Sequence, residues 1–149
     1  MVTELPPRAA MERAFLAADA SFDGLFWTGV RTTRIFCRPS CRARKPKLEN
    51  CEFFGSIAAA LFAGYRPCKR CAPLAKPAEL PLWAARLIEA VDRNVSPRFT
   101  AADLRDRGLE PARVRRFFKR RFGVTFAGYC RARRLGGALD RLRRGAPID

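Results

Sequence analysis

Four cysteines in two close pairs constrain this chain more than any other feature. Cys37 and Cys41 form a C-x3-C pair, twenty-six residues follow, and Cys68 and Cys71 form a C-x2-C pair. Two short spacings separated by a few dozen residues are how a chain builds a tetrahedral thiolate site. Each pair turns back on itself and offers two sulfurs to one ion. Pro39 and Pro67 stiffen those turns. Histidine is absent, so a metal here relies on thiolates and histidine-based acid–base catalysis is excluded. Zinc is the default ion; iron is the less favoured alternative, because nothing else suggests redox work. The competing reading is four unrelated buried cysteines. Cys51 and Cys130 each stand alone in an expected strand or helix and read as buried structural thiols.

Charge is the second constraint. Lysine and arginine exceed aspartate and glutamate by 16 in 149 residues. The excess is +6 over residues 1–79 and +10 over residues 80–149. Self-repulsion of that size disfavours a compact chain unless a polyanion relieves it. Nucleic acid is the leading partner and an anionic membrane surface the runner-up. The membrane reading is weakened because no helix pairs a basic face with a broad exposed apolar one. Residues 1–15 lack the apolar stretch of a signal peptide, and no segment is apolar enough to span a bilayer. The expected location is the cytoplasm, at the nucleoid, where thiols stay reduced.

The pattern along the chain predicts an α+β protein in two parts. After a loose lead-in over residues 1–7, Arg8–Ala20 suits a short amphipathic helix and Phe22–Gly24 a turn. Leu25–Thr33 reads as a strand, Cys37–Cys41 as a tight knuckle, Arg42–Lys47 as a basic loop and Cys51–Phe54 as a second strand. Ser56 caps a helix that runs through Ala63 and ends at Gly64. Prolines 73, 77 and 81 mark a linker. Helices follow. The first carries Trp83, Leu87, Ile88 and Val91 at helical spacing. Next come Ala101–Arg107 behind Thr100, Pro111–Phe122 behind Glu110, and a last helix from Thr125 to about Arg144. A short helix, a glycine turn and a basic helix spell helix-turn-helix.

Ten cations, Arg31, Arg34, Arg38, Arg42, Arg44, Lys45, Lys47, Arg66, Lys69 and Arg70, lie close in sequence to the four cysteines. Four thiolates on a divalent ion carry a charge of about −2, so these cations exceed what balance requires. A phosphate-binding face is the favoured reading, against a merely solvated basic surface. On the Pro111–Phe122 helix, Val114, Phe117, Phe118 and Phe122 fall on one side. Arg115, Arg116, Lys119 and Arg120 fall roughly opposite, as in a recognition helix for a major groove.

The strings VRTTRIFCRPSCRAR (30–44) and FAGYRPCKRCAPL (62–74) resemble the N-terminal zinc domain of the Ada family of adaptive-response proteins. RVRRFFKRRFGVTFAGYCRARRL (113–135) is similar to the first half of an AraC-type DNA-binding domain, the module that follows it in that family. The resemblance implies a zinc-bound αβ domain over residues 1–75 and an all-α helix-turn-helix domain, first half only, over 76–149. It implies one four-thiolate zinc ion and irreversible transfer of a methyl group from a DNA methylphosphotriester to Cys37. Cys41, Cys68 and Cys71 would complete the site. It places Thr33, Arg44, Arg66 and Arg70 at DNA-contacting positions, coupled to transcriptional activation of the alkylation response. Arg34 departs from the pattern, where glycine is expected, and adds a cation beside the acceptor. Double-stranded DNA is the implied partner, with RNA polymerase a further one, and a monomer is expected. The second helix-turn-helix unit and the Pro-Cys-His-Arg alkyltransferase site of some members are not in this sequence. The alternative function is a zinc-containing DNA-binding regulator without methyl transfer.

Overall fold

A computed structural model describes residues 4–74, 79–93, 99–143 and 145. Among these residues four short strands and six α-helices make an α+β fold in the order α1 (Arg8–Leu16), β1 (Trp27–Val30), β2 (Ile35–Cys37), β3 (Cys51–Phe54), α2 (Ile57–Phe62), β4 (Arg66–Pro67), α3 (Leu82–Arg93), α4 (Ala101–Asp106), α5 (Pro111–Phe122) and α6 (Phe126–Arg143). Every strand lies before residue 75 and the last four helices lie after it. The expected boundary at 75/76 falls outside the described residues, as do residues 1–3 of the lead-in.

The sheet order is β3-β1-β2-β4. β1 pairs antiparallel with β3 and β2, while β2 and β4 are parallel through Ile35↔Arg66 and Phe36↔Pro67. Pro67 is tolerated because β4 is an edge strand, where a missing N–H leaves no ladder bond unmade. At the centre of β1, Gly29 leaves room for two rings. A Cβ there would stand 2.8 Å from the Tyr65 ring and 2.9 Å from that of Phe54, which pack edge to face at 5.3 Å.

Several elements are shorter than their sequence patterns suggest. The helix expected to reach Ala20 stops at Leu16; Ala18 turns to φ 51°, and the Asp19 carboxylate caps a separate turn by accepting from the Ser21 amide. The strand expected over Leu25–Thr33 is Trp27–Val30, because residues 31–34 reverse the chain into β2 and Arg34 adopts φ 58° there. β2 and β4 are too short to leave a periodic signal. The caps are as expected. Ser56 accepts from the Ala59 amide, Thr100 and Asp103 form a reciprocal capping box, and Glu110 accepts from the Arg113 amide ahead of Pro111. The Thr125 hydroxyl accepts from the Gly128 amide at the start of α6.

One apolar cluster joins the sheet half to the helices. Phe36, Leu61 and Tyr65 belong to the same buried group as Leu87, Val114, Phe118, Phe122 and Tyr129. Phe118 is central, with ring centroids at 5.0 Å to Phe126, 5.2 Å to Phe122 and 5.6 Å to Tyr129. Buried Arg133 of α6 pairs with Asp92 of α3 at 3.1 Å, and the Tyr129 hydroxyl donates to the same carboxylate. A second cluster packs Met11 and Ala14 of α1 with Phe26. No described helix is long and apolar enough to cross a membrane.

The two halves meet glycine on glycine at one point. A Cβ on Gly136 of α6 would lie 2.1 Å from the carbonyl oxygen of Gly64, the residue that ends α2's turn at φ 90°. On an open helix Gly→Ala gains about 1 kcal/mol. Here the clash with backbone outweighs that gain, so Gly136→Ala is expected to destabilise by about 1–2 kcal/mol, read from the urea midpoint. A stabilised variant would show that α6 is not seated on Gly64.

Candidate metal centre and basic faces

The two cysteine pairs meet because β2 and β4 run side by side. Cys37 is the last residue of β2, and Cys68 follows β4 directly. The Cys68 amide donates to the Phe36 carbonyl at 3.0 Å, extending the strand pairing into the site. Each pair then closes in a tight turn, with Cys41 N–H donating to the Arg38 carbonyl and Ala72 N–H to the Cys68 carbonyl. The four Sγ atoms come to lie within 4.8 Å of one another. A tetrahedral thiolate site with bonds of about 2.3 Å holds its sulfurs about 3.8 Å apart, so this set fits one zinc ion after small adjustments. Cys37, Cys41 and Cys68 are buried and Cys71 is half-buried.

Side chains outside the ligand set brace this cluster. The Arg38 amide donates to Cys71 Sγ at 3.4 Å, and its guanidinium reaches the Ala72 carbonyl at 2.6 Å, tying the first knuckle to the second. Lys45 donates to the Cys41 carbonyl while its ammonium sits 4.1 Å from the Phe15 ring centroid, linking α1 to the same knuckle. The Asp23 carboxylate accepts from both the amide (3.0 Å) and the hydroxyl (2.6 Å) of Ser40.

As thiols, Cys37 and Cys71 share one hydrogen bond that moves them in opposite directions. The Cys37 thiol donates to Cys71, and that bond together with burial pushes its own ionisation far above the ordinary range. The same bond, aided by the Arg38 amide, draws the Cys71 thiol down to about 6. Burial raises Cys41 against the Ala43 amide, which favours its thiolate. Cys51 and Cys130, expected as structural thiols, are buried and apart from the cluster. Cys51 Sγ donates to the Lys47 carbonyl, and burial pushes Cys130 up to about 11.

The residues expected to contact DNA divide into two groups. Thr33, Arg44 and Arg70 are exposed, and Arg66 is half-buried. Thr33, Arg34 and Arg66 line one narrow cleft, whose other wall is Arg133, Gly136 and Gly137 of α6. Arg34 is held differently from the others. Its guanidinium lies 4.4 Å from the Tyr65 ring centroid and donates to the Ala63 carbonyl at 2.7 Å. The Tyr65 hydroxyl in turn donates to Glu52. On α5, Val114, Phe118 and Phe122 are buried and Phe117 half-buried, packing on Trp83 at 4.9 Å. Arg115, Arg116, Lys119 and Arg120 are exposed and, with Thr125, line an open groove.

The family described as the metal binding domain of Ada matches residues 10–73, which include all four cysteines. The bifunctional transcriptional activator/DNA repair enzyme AdaA of Bacillus subtilis is 35% identical over 128 residues, covering 85% of this chain and 60% of that protein. The Escherichia coli enzyme Ada of the same description is 37% identical over 142 residues, covering 91% of this chain and 39% of that protein. The chain belongs to the Ada family. It spans less than two thirds of the length of these curated relatives. A crystal structure of the methylated N-Ada/DNA complex is 37% identical, covering 87% of this chain and 98% of that one, with a TM-score of 0.46. The Ada match and the sulfur geometry together make Cys37, Cys41, Cys68 and Cys71 a single four-thiolate zinc site.

From sequence Asp23 reads only as a turn residue, and Arg38 and Lys45 as cations of a phosphate-binding face. Their bracing roles arise from contacts across 17 and 34 residues for Asp23 and Arg38, and from a local bond for Lys45. Because the Cys37 and Arg38 hydrogen bonds favour the Cys71 thiolate, zinc loading of chelator-stripped, reduced protein at about pH 7.5 is expected to release fewer than four protons. Titration in weak buffer with a pH indicator checks this, and release of four would contradict it.

Proposed function

We propose that this protein is a single-turnover DNA repair methyltransferase, taking a methyl group from a methylphosphotriester in double-stranded DNA onto Cys37. The observation that carries the reading is the four-sulfur cluster set among exposed cations. Zinc, when bound, holds the cysteine sulfurs as thiolates at neutral pH, where a free thiol is mostly protonated. The Cys37 sulfur attacks the methyl carbon in line. An S–C bond forms, the C–O bond breaks, and the phosphodiester leaves with the electron pair, so no proton need move. The product is a thioether, which no group in the site can reverse, and each molecule therefore reacts once.

Backbone amides help to distinguish the sulfurs. The Arg38 amide donates to Cys71 and the Ala43 amide favours the Cys41 thiolate. A hydrogen bond to a thiolate stabilises it and lowers its reactivity. No amide donor to Cys37 Sγ is found among the described residues, in keeping with Cys37 as the acceptor. Cys71 is the second candidate, because it is the least buried of the four.

DNA binding belongs to the same reading. Thr33, Arg44, Arg66 and Arg70 would meet the backbone near the damaged phosphate, and Arg115, Arg116, Lys119 and Arg120 would enter a major groove. Methylating Cys37 removes one negative charge from a cluster of about −2, which lessens repulsion from DNA phosphates. That change would turn damage into a signal for transcriptional activation, with RNA polymerase as a further partner. In this reading residues 1–75 are the acceptor unit and 76–149 the DNA-reading unit of a monomer, located at the nucleoid.

The test is intact mass and peptide mapping of the zinc-loaded protein after incubation with methylphosphotriester DNA. One added methyl group on Cys37 is expected, and Cys37→Ala should gain none. A methyl on Cys71 would reassign the acceptor. No gain at all would leave a zinc-containing DNA-binding regulator.

A further inference from the structure

The geometry points to Asp23 as a positioning residue for methyl transfer, acting through Ser40 to hold the knuckle that carries the acceptor sulfur. This inference rests on the proposed methyl-transfer reading and adds to it a residue outside the ligand set. Cys37 is fixed on one side by the sheet, where it pairs with Thr28 of β1 and where Cys68 N–H reaches the Phe36 carbonyl. On the other side the chain leaves the sheet. Residues 38–41 form a turn whose backbone bond is Cys41 N–H to the Arg38 carbonyl, and that turn carries Cys41, whose sulfur lies in one cluster with that of Cys37.

Asp23 lies four residues before β1, an inner strand bonded on both sides within the sheet. Its backbone is tied in twice, by its amide to the Ala20 carbonyl and by a bridge to Phe26, a fully buried residue. Its two carboxylate oxygens receive separate bonds from one residue, the Ser40 amide at 3.0 Å and the Ser40 hydroxyl at 2.6 Å. Hydrogen bonds to an ionised carboxylate are roughly twice as strong as neutral ones. Two on a single residue also fix its orientation. Ser40 sits between Pro39, which is fully buried, and the ligand Cys41. The rigid sheet is thereby connected to the middle of the C-x3-C turn.

Electrostatics makes this placement informative. A carboxylate beside a site of about −2 is disfavoured by like charge, so its charge adds nothing to the affinity for phosphate. What it supplies is orientation. In-line displacement needs the sulfur, the methyl carbon and the leaving oxygen aligned at about 3–3.5 Å, and small misplacements cost rate steeply. DNA affinity, set by cations elsewhere, should be left nearly unchanged.

The experiment uses the full-length, zinc-loaded chain and its variants Asp23→Ala, Ser40→Ala, Ser40→Thr and the double Asp23→Ala/Ser40→Ala. Single-turnover transfer is measured against concentration of a methylphosphotriester duplex, and the same proteins loaded with cadmium are compared by 113Cd resonance. Asp23→Ala is expected to lower the rate at saturating duplex at least tenfold, with the half-saturating concentration within twofold of wild type. Ser40→Ala should fall less, because the amide bond to Asp23 survives, and Ser40→Thr, which keeps the hydroxyl, should recover most of the rate. The double variant should be no slower than Asp23→Ala, the non-additivity expected of partners in one contact. If Asp23→Ala fails to hold metal, Ser40→Ala and Ser40→Thr carry the comparison. An unchanged saturating rate, or losses that multiply in the double variant, overturns the proposal. Should wild type transfer no methyl, the reading of the previous section fails, but the cadmium signal still decides this one. A shifted resonance in Asp23→Ala supports the clamp on the knuckle, and an unmoved one overturns it.

Discussion

A pairing of only two residues, between β2 and β4, is what the rest of this structure hangs on. Ile35 and Phe36 lie beside Arg66 and Pro67, and one cysteine pair emerges from the end of each strand. So short a parallel ladder is weak by itself, since loop closure over the intervening chain opposes it. Zinc at four thiolates ties the ends that the strands bring together, and ligand binding to the folded form stabilises it by mass action. The sheet half has little else of that strength. Among the described residues its second core holds Met11, Ala14 and Phe26 with two partly buried phenylalanines, and its larger core is completed by the helices.

The same site sets the electrostatics of the whole chain. An anionic metal cluster lies within a protein whose formal excess is +16. Some nearby cations are spent internally. Arg38 and Lys45 bind carbonyls of the cysteine turns, and Arg34 stacks on Tyr65 and bonds to Ala63. Others, Arg44, Lys69 and Arg70 among them, remain exposed. Internal bracing and outward charge are thus separated by residue, and charge alone does not tell which residue does which. In the proposed reaction, loss of one thiolate charge shifts this balance towards DNA without any required change of shape.

Sequence made the metal site legible because cysteine spacing encodes it locally. It made the helix starts legible for the same reason: Ser56, Thr100 and Glu110 accept from amides a few residues on. The division of α5 into an apolar face and a cationic face was readable from its period of 3.6 residues. What was not readable depends on contacts far apart in the chain. β2 and β4 are too short for periodicity, so their pairing had to be seen. Arg34 reads as an added cation where the family pattern expects glycine, yet its left-handed backbone and the Tyr65 ring make it part of the scaffold. Asp23 reads as turn chemistry, and only folding places Ser40 on its carboxylate. The packing of Gly136 against Gly64 likewise has no local signature.

The central claim is that four sulfurs of this chain hold one zinc ion, and X-ray absorption at the zinc edge of the purified full-length protein tests it most directly. The account predicts a first shell of four sulfurs at about 2.3 Å with no nitrogen or oxygen. A shell that includes light-atom ligands, or sulfurs fewer than four, would contradict it.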